Sequence, residues 1–579
     1  MSQSDHRNDA DAPRMWRSLE ELERAPDFEE WLHREFPRQA AIWPEGLDRR
    51  SFLQLAGASL ALGGLTACTR QPPEKIVPWG QQVEQIVPGE PLYYATALTL
   101  DGYGLGVLAE SHMGRPTKIE GNPDHPASLG ATDVLAQAAV LGLYDPERSK
   151  TVRELGRTRA WAAFVEETRR ALRALEALEG ARVRFLSETV TSPSLAAEIG
   201  RALTALPRSR WVQYDPVGDD AARAAAGTAY RRAVPVRSDL RRADVILSLA
   251  SDFLTAGPGH IPYARSFAAR RKSREAGGMN RLYALESTPT LTGTMADHRR
   301  AASVAEIGHF AVELAARLGV GGVSGGAGHL DGELTSWLDA VAADLGSHRG
   351  RGLVVAGREA PEALQVLAHA INETLGNRGE TLLVTEPVEA APARQTEELA
   401  RLVDEMKAGE VDILVVLGGN PVYNAPADLG FAEAMLEVGR RIRLGLYEDE
   451  TSELCQWHVP EAHELESWGD ARAFDGTVTL RQPLIEPLYR GFTPAELVSV
   501  FASDTPRRGA DILEEHWAER AAAEAGSVGD PADAWRRFVH DGWIPGTAAP
   551  GVEDALVAVA SAAAAAELAP AVPATVDSP

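Results

Sequence analysis

The stretch Gly114-Arg115-Pro116-Thr117-Lys118-Ile119-Glu120-Gly121-Asn122-Pro123-Asp124-His125-Pro126, followed by Gly130 and by Leu143-Tyr144-Asp145-Pro146-Glu147-Arg148, decides how this 579-residue chain is read. It holds no cysteine. His125, between Asp124 and Pro126, reads as a turn histidine that packs its domain rather than as a catalytic base. Upstream, residues 69–91 carry Pro72, Pro73, Pro78, Pro88 and Pro91 and read as an extended tether. Downstream, short apolar runs of the buried-strand type (Val183–Leu186, Val245–Leu249, Leu353–Val355, Leu382–Val384, Ile413–Leu417) alternate with helical patterns over Trp161–Leu178, Ser303–Leu318, Ala360–Leu375 and Gln395–Met406. That alternation predicts an α/β fold of parallel sheets flanked by helices.

Composition sets the outer limits. Hydrophobic residues are 44% and charged residues 24%, an ordinary globular balance. Asp and Glu number 83 against 58 Lys and Arg, a formal charge of -25, which repels nucleic acid and favours a cationic partner. Cys68 and Cys455 are the two cysteines, too few for an iron-sulfur cluster or most structural zinc sites. His458, His463 and Glu466 have an intermittent metal-ligand spacing, but Pro460 interrupts it and no fourth ligand is indicated. No G-x-S-x-G elbow, P-loop or two-cysteine redox pair is present.

Residues 1–68 read as an acidic leader followed by an export signal. Arg49-Arg50 precede Ser51-Phe52-Leu53 and a charge-free run to Thr69, a twin-arginine pattern. The run ends Leu65-Thr66-Ala67-Cys68, which resembles a lipoprotein box with Cys68 as the lipidated residue. A membrane-spanning anchor is the competing reading, but Gly57, Gly63 and Gly64 make the run only mildly apolar. Before it, Ser18 and Glu21 form a capping-box pattern ahead of Leu22, Phe28, Trp31 and Leu32. Export places the chain at the periplasmic face of the inner membrane, peripheral or lipid-anchored, and makes the twin-arginine translocase a partner.

The segment from Gly114 to Arg148 resembles the N-terminal domain of the molybdopterin oxidoreductases of the dimethyl sulfoxide reductase type. There the same region carries four cysteines, C-x2-C-x3-C-x27-C, that hold a 4Fe-4S cluster. Aligned on Gly114 and Gly130, those positions fall on Leu98, Asp101, Leu105 and Asp133. Leucine cannot ligate iron, and aspartate is a poor substitute for a soft thiolate. Weaker pieces follow: Ala243–Leu247 with Ser251-Asp252, Glu286 to Arg299, Leu417-Gly418-Gly419-Asn420-Pro421, and Val459-Pro460 to Glu466 and Gly469. The resemblance makes Gly418, Gly419 and Asn420 pterin-loop positions, where glycine would let backbone approach a phosphate. A plain tight turn is the competing reading.

With the acidic leader, the Cys68 end and Lys75-Ile76-Val77-Pro78, the pattern is narrower. It looks like the molybdopterin-oxidoreductase-like subunit of alternative complex III, a bacterial quinol:cytochrome c oxidoreductase. The resemblance spans roughly residues 14–545. It implies an N-terminal domain of degenerate iron-sulfur type (92–150), two α/β domains (151–345 and 346–500), and a helical segment with an Ala/Pro-rich tail (501–579), the C-terminal barrel domain of the family being absent. Gly319–Gly328 reads as an internal linker, and the chain after about residue 546 as a disordered tail. The function expected is a scaffold carrying neither cluster nor pterin, with iron-sulfur, haem and integral-membrane quinol-binding subunits as partners. The alternatives are a catalytic subunit that binds molybdopterin guanine dinucleotide with molybdenum or tungsten, and an inactive fragment.

Overall fold

The computed structural model describes residues 87, 89–272, 278–326, 330–526, 529–553 and 558–568, all within the second of two units into which the chain divides, Gln85–Pro579. Arg49, Arg50, Cys68 and most of the tether lie outside the described residues. Among those residues no helix is long and apolar enough to cross a membrane.

The first sheet is antiparallel: β1 (Leu92–Leu100), β2 (Tyr103–His112) and β3 (Arg115–Gly121). Both hairpins turn on two residues of positive φ, Asp101-Gly102 (51° and 79°) and Met113-Gly114 (53° and 78°). Such turns match the twist of paired strands and favour glycine at the second position. The decisive sequence stretch is therefore a hairpin, a strand and the turn that leaves it. A Cβ on Gly121 would lie 2.3 Å from the Ala131 nitrogen, so this position admits only glycine. His125 is fully buried, its Nδ1 accepting from the Ala127 and Ser128 amides and its Nε2 2.9 Å from Thr479 Oγ1. The helix Val134–Leu143 covers one face of the sheet, burying Leu98, Val107, Ala109, Ile119 and Leu143 together.

The chain then starts a larger sheet with β4 (Arg153–Glu154), β5 (Arg157–Thr158), β6 (Val183–Ser187) and β7 (Arg210–Gln213), and leaves it. In the inserted part β8 (Val236–Ser238) precedes a parallel sheet of β9 (Val245–Leu249), β10 (Arg281–Glu286), β11 (His298–Ala301) and β12 (Gly352–Ala356), ordered β11-β10-β9-β12. β13 (Leu382–Val384) returns antiparallel to β8. The chain rejoins the larger sheet as β14 (Ile413–Leu417), β15 (Arg440–Gly445) and β16 (Trp457–Pro460), giving the order β5-β4-β16-β15-β14-β6-β7. β17 (Gly469–Arg472), β18 (Val478–Arg481) and β19 (Trp543–Ile544) form a last antiparallel sheet; no barrel is closed among the described residues.

The inner strands β6, β9 and β14 are buried along their whole length, which is why each reads as a continuous apolar run. The helix Val304–Arg317 starts where Ser303 and Glu306 cap each other's backbone amides.

Four expectations are corrected. The sheets do not respect contiguous domains at 151–345 and 346–500, because Ile413 to Leu417 pair with Val183 to Ser187 and the sheet and ladder of β8–β13 are inserted between these strands. Leu382–Val384 sits in a two-stranded antiparallel ladder, not a parallel sheet. The glycine-rich run at 319–328 joins helices Val304–Arg317 and Gly332–Ser347, whose Phe310, Leu314, Leu338 and Val341 share one core, so it does not separate domains. Beyond residue 546 the chain forms a helix, Ala558–Leu568, that buries Ala564 and Ala565 in that same core. Alanine is small enough for close helix packing, which sequence complexity alone does not register.

Candidate functional site

Each parallel sheet has one point where its strand order reverses, the usual ligand crevice of such folds at the carboxyl ends of the strands. In the inserted sheet it lies between β9 and β12, and a cavity of about 680 Å3 opens there. Its walls come from the segments at and after the ends of β9 (Ala250–Gly259), β10 (Glu286–Thr290) and β12 (Ala356–Pro361), with Tyr103 from β2 and Phe474 from the turn between β17 and β18. The volume is in the range of small-molecule sites.

The charge balance of the cavity is set by pairing. Arg223 is held by Glu389 at 2.6 Å and Arg358 by Asp219 at 2.6 Å. Arg237 has its guanidinium carbon 5.9 Å from the Phe474 ring centre and a buried Nε without a partner. His369 is 9% exposed, its Nδ1 is unpartnered, and burial pushes its pKa down to about 4, so it is neutral at pH 7.

In the larger sheet the reversal lies between β6 and β14, and the free space there is only about 10 Å3. This is where Gly418, Gly419 and Asn420 sit. Gly418 and Gly419 have φ of 68° and 65°, so the turn does require glycine. Their carbonyls accept from Arg443, which also holds Asp449 at 2.7 Å. Asn420 donates to Glu450 at 2.7 Å and accepts from Thr451 Oγ1 at 2.7 Å. The Glu188 carboxylate lies over the two glycines.

Carboxylates gather around this loop. The surrounding protein, then Asp215 and Asp101, hold Glu188 above the usual carboxylate range against Arg443 and the Gly419 amide. Asp215 is raised by burial, with Asp101 and Glu389 adding to it against hydrogen bonds from Thr189. Glu461 is pushed up to about 7, by burial first and with Glu188 adding to it, while Arg443 opposes. Sequence reading missed Glu188, Glu461 and His369, which belong to no motif; perturbed titration in a cleft is what marks them.

The vestigial cluster positions divide into two groups. Leu98 faces Leu105 across the β1–β2 hairpin, and both pack in the apolar core of that sheet. Asp101 forms the hairpin turn and reaches Arg358 at 3.3 Å. Asp133 caps the helix Val134–Leu143 and lies 3.3 Å from His260 Nε2, a bond that lowers the aspartate pKa and raises the histidine's. A leucine pair in a packed core and two aspartates committed to other partners do not fit a 4Fe-4S cluster.

His458, His463 and Glu466 do not converge on a metal either. His458 lies between Ser149 Oγ (2.6 Å) and Ser452 Oγ (3.0 Å), His463 caps the turn Glu464–Glu466, and Glu466 pairs with Arg148. Among the described residues no group of three or more His, Cys, Asp or Glu could hold a metal ion. Cys455 is half-buried and its thiol is pushed up to about 12 by the surrounding protein, so it is not a reactive thiolate.

The architecture has solved counterparts. The chain superposes on acetylene hydratase from Pelobacter acetylenicus with a TM-score of 0.51 at 11% identity, over 73% of this chain and 70% of that one. The fold is molybdopterin-oxidoreductase-like, with parallel sheets flanked by helices. In sequence the chain is 24% identical over 489 residues to the menaquinone reductase, molybdopterin-binding-like subunit of Nitratidesulfovibrio vulgaris, covering 76% of this chain and 70% of the relative. No family model matches the chain.

The molybdopterin group of this fold can be tested against the two crevices. A pterin dinucleotide brings a diphosphate, which needs free cationic or amide donors. One crevice is nearly closed and edged with carboxylates, and the other has two of its three arginines neutralised by Glu389 and Asp219. The residues lining these crevices leave such a diphosphate few uncommitted cations.

Proposed function

We propose that this chain is the molybdopterin-oxidoreductase-like subunit of a membrane-associated respiratory quinol oxidoreductase of the alternative complex III type. In this reading it is a structural subunit that carries neither cluster nor pterin, and electrons move through iron-sulfur, haem and quinol-binding partner subunits. The observation that carries it is the fate of the four cluster positions: Leu98 and Leu105 are core side chains, and Asp101 and Asp133 are tied to Arg358 and His260. The named relative, itself called a subunit of a menaquinone reductase, supports the respiratory setting.

Arg49-Arg50 and the Leu65–Cys68 end support export by the twin-arginine route and lipid attachment at the periplasmic face. A second reading, a catalytic subunit holding one molybdopterin guanine dinucleotide, is favoured by one observation, the cavity of about 680 Å3. The test of the subunit assignment is affinity purification of the full chain from membranes of its own host. Co-purification of iron-sulfur and haem subunits with quinol-dependent cytochrome reduction is the expected result; recovery of the chain alone, in the soluble fraction, contradicts it.

A further inference from the structure

The two parallel sheets can be compared position by position. In the inserted sheet the β9–β12 pairing ends at Leu249 opposite Ala356; in the larger sheet the β6–β14 pairing ends at Ser187 opposite Leu417. The next residues are Ala250 and Gly357 in one, Glu188 and Gly418 in the other. The two glycines are required for different reasons: a Cβ on Gly357 would lie 2.0 Å from the Ala250 carbonyl oxygen, whereas Gly418 has a φ of 68°, with Glu188 Oε2 2.8 Å from where its Cβ would stand. So the two crevices have the same frame. They differ in the side chain just past the end of the first strand, a methyl group in one and a carboxylate in the other, and in free space, about 680 Å3 against about 10 Å3.

We propose that Glu188 closes the crevice of the larger sheet to phosphorylated ligands, its carboxylate standing over the Gly418-Gly419 turn where an anion would otherwise rest. Strand-end turns of this kind receive anions through their backbone amides. Here the Gly419 amide supports the charged form of Glu188, and the carbonyls of Gly418 and Gly419 are taken by Arg443, so the turn is satisfied from within the chain. Asp215 and Asp101, which act on Glu188 electrostatically, add repulsion against an incoming phosphate. The asymmetry is a property of this chain's own residues and does not depend on the subunit assignment.

The experiment uses the full chain with guanosine diphosphate as probe, read by hydrogen exchange of the peptide spanning residues 413–424 and by calorimetry. Glu188→Ala and Glu188→Gln each remove the charge, and the glutamine variant keeps the shape. The expected result is no ligand-induced protection of this peptide in the wild type, and binding tightened about tenfold or more with added protection of the Gly419 and Asn420 amides in Glu188→Ala, the Gly418 amide being already bonded to the Leu444 carbonyl. Glu188→Gln is expected to fall between them. Protection of the peptide in the wild type, or variants that bind no better than it, overturns the proposal.

Discussion

Arg148 Nη2 and Glu466 Oε2 lie 2.6 Å apart with side-chain exposures of 1% and 0%. The pair joins the end of the segment that decides the fold to the loop after β16. Glu466 also accepts from the Leu488 and His463 amides at 2.8 and 3.1 Å, so its lone pairs are well used. Removing one partner leaves an uncompensated buried charge, and Glu466→Ala is expected to cost about 3–5 kcal/mol in urea unfolding at pH 7.

The same pair sets an acid response. Burial raises the Glu466 pKa, but Arg148 and the two amides bring it below the ordinary value. A carboxylate so depressed contributes stability above its unfolded pKa of about 4.3, and that contribution is lost as pH falls through the lower folded value. Glu466→Gln should therefore lie closer to wild type in stability at pH 3 than at pH 7. A constant difference across that window contradicts the pairing.

His369 acts in a neighbouring window. Its folded pKa is about 4 against about 6.5 unfolded, so its neutral form contributes stability that is whole above pH 6.5 and falls away towards pH 4. At pH 5 the wild type should have lost about 2 kcal/mol through this residue. Denaturant titrations of His369→Phe at pH 7.5 and 5 should show the variant gaining that amount relative to wild type. An unchanged difference shows that the imidazole is protonated in the fold.

His260 works in the opposite sense. Asp133 raises its pKa, so the bond contributes stability that is whole below the unfolded histidine pKa and is lost as pH rises through the folded value. Asp133→Ala removes both this bond and the helix cap. It is expected to cost about 1–2 kcal/mol at pH 6 and less at pH 9, where the cap alone remains. Equal costs at both values show that His260 is not charged against Asp133.

Deleting residues 554–579 tests the alanine-rich helix. Ala564 and Ala565 are buried, and a Cβ added at Gly308 would lie 3.3 Å from Leu568. Loss of this helix should lower stability by about 2–4 kcal/mol, read as a drop in the urea midpoint. An unchanged midpoint shows that the helix does not pack.

Much of the fold is legible in the residues. Val245–Leu249 and Ile413–Leu417 are strands over the whole of their apolar runs, because both edges and both faces of each are covered. Partner choice is not legible: nothing in Ile413–Leu417 says that it pairs with Val183–Ser187 some 230 residues away, and so the inserted arrangement emerges only in the structure. Gly418 and Gly419 can be read as a strand-end turn but not as an occupied one. Glu188 lies far off in sequence, and only the sheet brings it over them. The tail misleads because alanine in a low-complexity run looks like disorder, although it suits a tightly packed helix.

In the proposed function this chain has a molybdopterin-oxidoreductase-like fold while its own residues hold neither cluster nor pterin. The most direct test is quantitation of molybdenum, tungsten, iron and pterin on the chain purified from its host's membranes and separated from its partners. The account predicts less than about 0.1 equivalent of each on this chain, with iron and haem in the partner fractions. A stoichiometric pterin with molybdenum or tungsten on this chain would contradict it.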